Sequence, residues 1–82
     1  MNPRWTDVVI VRRDRTAPTG ETTVVRMLGM LPAHWPCTPG DVGQDRVVLR
    51  IELRGVTDAS AVRLAVSRVL SDAALHGWTR EP

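Results

Sequence analysis

Between Arg46 and Arg54 the chain reads RVVLRIELR, with Val47, Leu49, Ile51 and Leu53 alternating with Val48, Arg50, Glu52 and Arg54. A period of two predicts a strand over 46–54 with one buried and one wet face. Trp5–Arg13, WTDVVIVRR, is β-branched at its centre and is followed by DRTAPTGE, whose Pro18 and Gly20 act as breakers. It reads as a strand leading into a hairpin loop. Thr22–Leu31, TTVVRMLGML, has apolar residues of both parities, which predicts a strand covered on both faces, with a bulge or close approach at Gly29. Residues 32–45 hold three prolines and two glycines and read as an irregular loop.

From about 58 to 76 the spacing becomes helical. Ala59, Val62, Val66, Val69, Leu70 and Ala73 form one stripe. Thr57 or Asp58 is placed to cap the N-terminus, and Gly77 is placed as the residue after the C-terminus, with Trp78 folded back onto the last turn. The tail from Thr79 is expected to fray. The elements predict one α+β domain over 1–82: a two-layer β-β-β-α arrangement in which a three-stranded antiparallel sheet packs on one C-terminal helix.

That arrangement leaves apolar surface over. Leu64 and Leu75 project away from the core stripe of the helix, and Leu28 and Met30 belong to a strand apolar on both faces. Burying them calls for a second copy of the chain or another protein.

Composition narrows the function classes. A chain of 82 residues buries only roughly 60–65% of the surface its unfolded form exposes, so its core is small. It has three Trp and no Phe or Tyr. No apolar run approaches the ~20 residues of a membrane span and no leader is evident, so a cytoplasmic protein is expected. One cysteine forms no internal disulfide, consistent with a reducing compartment. All eleven basic residues are Arg and the net charge is +2; the residue usage resembles that of a GC-rich bacterial or phage genome.

The candidate chemistry gathers in LPAHWPCTPGD, Leu31–Asp41. His34 and Cys37 are two zinc-type donors, but a closed site needs more, from His76, Asp41 or a symmetry mate, and no CxxC pair exists. A Cys37 nucleophile with His34 as base lacks an orienting third group. Asp41 and Asp45 read as turn formers. Trp35, on a proline-stiffened segment, is a binding anchor or a cap over the open end of the core. No glycine-rich loop joins a strand to a helix, so no phosphate cradle of that kind is expected. A non-enzymatic protein without metal or cofactor follows.

Two function readings stand. The preferred one is a protein-interaction module, a homodimer or an accessory subunit, using Trp35, Leu64, Leu75, Leu28 and Met30. The alternative is nucleic-acid binding by a sheet face bearing Arg12, Arg26, Arg50 and Arg54. Glu52 and Asp14 interrupt that stripe and no aromatic residue interleaves for base stacking.

Overall fold

The computed structural model of the protein describes residues 4–53 and 58–81. Along the chain come β1 (Trp5–Arg12), α1 (Gly20–Met30), β2 (Cys37–Val42), β3 (Arg46–Glu52), α2 (Ala59–Leu70), a 3-10 turn (Ala73–Leu75) and β4 (Trp78–Arg80). The strands form one antiparallel sheet in the order β2-β3-β1-β4. β3 lies between β1 and β2, and β1 lies between β3 and β4. Two split β-α-β units are therefore interleaved, the connectivity of ferredoxin-like folds. The fold is α+β as expected, but with four strands and two helices in place of three strands and one.

The largest departure is α1, where a strand over 22–31 is expected. Gly20, Thr23, Val24, Met27 and Leu31 are buried while Glu21, Thr22, Val25, Arg26 and Met30 are exposed. The true period is 3.6, and a run apolar in both parities satisfies it as well as it satisfies a two-sided strand. Pro18 just before the helix and Pro32 just after it mark its limits. Gly29 is no bulge; it is an exposed helical residue with open space beside it.

β2 lies within the expected loop. Its sequence, CTPGDV, contains a proline and a glycine, residues that a sheet tolerates at an edge. The Pro36 carbonyl accepts from Glu52 N–H at 3.0 Å. By alternation Thr38 faces β3, and the missing N–H of Pro39 falls on the open side.

Helix α2 begins where expected, with Asp58 accepting from Ala61 N–H at 2.8 Å. It ends at Leu70, not near 76. Ser71 turns its hydroxyl back to the Arg68 carbonyl at 2.7 Å, and Asp72 caps the following 3-10 turn by accepting from Ala74 N–H at 2.9 Å. Gly77 does adopt positive φ, at 88°, but it joins that turn to β4. The expected frayed tail is the strand Trp78–Arg80.

One core unites the layers. Val8, Ile10, Val47, Leu49 and Ile51 from the sheet meet Val24, Met27, Val62, Val66 and Val69 from the helices, and Leu75 and Trp78 close it. Both helices therefore cover the same face. Alternation turns Trp5, Asp7, Val9 and Val11 of β1, and Arg46, Val48, Arg50 and Glu52 of β3, to the other side.

Candidate functional site

The helix-free face is the main unpartnered surface of the described fold. Trp5 is 48% exposed there, on the same face as half-buried Val9, Val11 and Val48 but separated from them along the strands by Asp7 and Arg50. Asp7 sits directly opposite Arg50 in the ladder, and Arg50 Nε donates to Asp7 Oδ1 at 3.1 Å. The same guanidinium lies over the Trp5 ring, 4.9 Å from its centre. At the other end, Arg46 and Glu81 meet at 3.4 Å. Because β1 runs between their strands, their side chains reach across the valines of that strand. The face thus carries a valine patch between two ion pairs, Asp7–Arg50 and Arg46–Glu81, with Trp5 beyond the first.

Sequence reasoning pointed to Trp35, Leu64, Leu75, Leu28 and Met30 as partner-facing residues. Leu75 is 1% exposed, a correction that follows from the helix ending at Leu70: the 3-10 turn swings this leucine into the core. Leu28 and Trp35 are partly buried against the core, so Trp35 acts as a cap on its open end. Leu64, 57% exposed, and Met30 do face outward, as does Val25, on two different helices. Sequence reasoning missed Trp5 and Val48 as apolar residues on the helix-free face. Their signal was the outward parity of the two best strands, with a tryptophan at the start of one.

The arginines assigned to one sheet face do not share it. Of the three that lie among the described residues, Arg50 alone is on the helix-free side. Arg12 turns to the helix side at the end of β1, where Nε donates to Asp45 Oδ1 at 2.8 Å and an Nη to the Ala17 carbonyl at 3.1 Å. Arg26 projects from α1 and reaches the Ala74 carbonyl at 3.2 Å. Arg54 lies outside the described residues.

The cysteine segment shows no activated nucleophile. Cys37 pairs with Ile51 across the sheet and packs on the core, and desolvation raises its pKa. His34 is exposed, its ring edge-on to Trp35 with centroids 6.4 Å apart. Among the described residues no three His, Cys, Asp or Glu side chains gather closely enough to hold a metal ion. No helix among them is long and apolar enough to cross a membrane. No family model, curated protein or solved structure matches the chain. Since one fold hosts many functions, geometry alone carries the functional reading.

Proposed function

We propose that the chain is a non-enzymatic interaction module that binds a second copy of itself through the helix-free face of its sheet. The observation that carries this reading is the position of Trp5, a large exposed ring that shares with Val9 and Val48 the one sheet face that neither helix covers. Sheets pack face to face about 10 Å apart with interdigitated side chains. Strands of eight, six, seven and three residues about 4.8 Å apart offer roughly 400 Å² per copy before side-chain relief is counted, so a pair covers roughly 800 Å², the size of a weak, concentration-dependent contact.

Charge favours a self-complementary contact. Asp7, Glu52 and Glu81 stand against Arg46 and Arg50 on and around this face. A nearly neutral mixture of signs neither repels its own copy nor attracts a polyanion. Burying Trp5 on contact would supply the aromatic anchor that interfaces favour.

Light scattering on the purified protein tests the reading. The wild type is expected to show a concentration-dependent dimer, and Val48→Glu, which places a charge in the middle of the face, a monomer with an unchanged circular dichroism spectrum. A wild type that stays monomeric at about 100 μM, or a Val48→Glu variant that dimerises equally well, would sink it.

A further inference from the structure

We infer that the corner between β1 and α1, remote in chemistry from the sheet face, is a binding site for a phosphate-type oxyanion. An open cavity of about 680 Å³ is lined there by Arg12, Arg13, Asp14, Arg15 and Asp45.

The two carboxylates are already engaged. Asp45 is held by Arg12, whose side chain is fixed from two directions by Asp45 and the Ala17 carbonyl. Asp14 Oδ1 accepts from the backbone N–H of Thr16 at 2.9 Å and from its hydroxyl at 2.7 Å, and Oδ2 faces His76 Nε2 at 3.6 Å. The arginines are not engaged to the same degree. Arg13 makes one long bond, from Nε to Thr79 Oγ1 at 3.3 Å, and Arg15 has no side-chain partner among the described residues. Guanidinium carries five donors in a planar fork that matches a tetrahedral oxyanion. Arg13 and Arg15 therefore bring most of their donors unused to a cavity lined by three arginines and two carboxylates, one of which, Asp45, is paired with Arg12. This is an arginine fork rather than a helix N-terminus, and for that reason no glycine-rich signal announces it.

The test is an NMR titration of ¹⁵N-labelled protein with inorganic phosphate, and separately with phosphoserine, at constant ionic strength held by chloride. Saturable shifts of the Arg13 and Arg15 Nε–H signals and of the 12–17 amides are expected, with at least a tenfold loss of affinity in Arg13→Ala/Arg15→Ala and the remaining amides unmoved. Tighter binding of phosphoserine assigns the site to a phosphate monoester, and equal binding to the free anion. Shifts that chloride reproduces, that do not saturate, or that survive the double substitution overturn the proposal. Should that variant unfold, Arg13→Lys/Arg15→Lys serves instead, since it keeps the charge while removing the fork and is expected to weaken binding as well.

Discussion

The guanidinium of Arg50 lies 4.9 Å above the centre of the Trp5 ring while its Nε holds Asp7 at 3.1 Å. One side chain thus orients both the largest exposed apolar group of the helix-free face and the acid beside it. Both contacts are half open to water, where cation–π and ion-pair interactions contribute about 1 kcal/mol or less each. Arg50→Ala is therefore expected to lower folding stability by no more than about 1–2 kcal/mol while weakening self-association by tenfold or more, since Trp5 loses its fixed orientation. Paired denaturation and dilution experiments separate the two effects. A large loss of stability with association intact would assign Arg50 to the fold alone.

Trp78 donates its indole N–H to the Pro18 carbonyl at 2.9 Å and is 2% exposed. Sixty residues apart in sequence, the two fasten the short β4 to the loop before α1. Trp78→Phe removes mainly the bond and is expected to cost about 1–2 kcal/mol, because the carbonyl keeps only the long bond from the Thr23 hydroxyl at 3.4 Å. Trp78→Ala adds a cavity and should cost about 3–5 kcal/mol. Chemical denaturation of both variants checks the order, which would be contradicted by equal losses.

Three glycines predict three different outcomes. At Gly29 a Cβ meets nothing within 4 Å, so Gly29→Ala should stabilise by up to about 1 kcal/mol through helix propensity. At Gly20 the added carbon would overlap the Gly43 carbonyl oxygen, and at Gly77, with φ at 88°, it would come within 2.6 Å of Ala17 Cβ. Alanine at either of these positions should destabilise. Thermal melts are expected to rank Gly29→Ala above wild type and the other two below it; any other order would contradict the packing described.

Asp14 gives the molecule a directed pH response. Its carboxyl is held below the usual range first by the Thr16 backbone N–H, then by the Thr16 hydroxyl, with a smaller contribution from His76. A folded pKa below the unfolded value means that the contribution is complete above the ordinary carboxylate pKa of about 3.9 and is lost as pH falls through the depressed value. The stability gap between wild type and Asp14→Ala should hold from pH 7 to about pH 4 and narrow below it. A gap that persists unchanged at pH 2 would mean that the ionised form is not what Thr16 stabilises.

Legibility in the sequence followed local signal strength. β3 and β1 carried a pattern that only their own geometry explains, and both formed nearly as expected. Asp58 was readable as a cap because the helical stripe starts directly after it. α1 was hidden by Thr22, Thr23, Val24 and Val25, whose β-branching argues for a strand while their burial follows a helix. Tertiary packing on the sheet overrode propensity there. β2 was masked by Pro39 and Gly40, which suit an edge but punctuate a local reading. β4 is three residues long, too short for periodicity, and it is held by its ladder with β1 and by the long-range bond from Trp78 to Pro18. The site followed from these errors. With α1 taken as a strand, the sheet seemed to bear Arg26, and with the helix run on to 76, Leu75 seemed exposed. Trp5 and Val48 become candidates for an interaction face only once both helices are known to cover the opposite side.

The most direct test of the central claim is an isotope-filtered NOE measurement on an equal mixture of labelled and unlabelled protein. Contacts between subunits are predicted from the Trp5 ring and from the Val9 and Val48 methyl groups to the same face of the second copy. Intermolecular contacts arising instead from Leu64, Val25 or Met30, or no intermolecular contact at millimolar concentration, would contradict it.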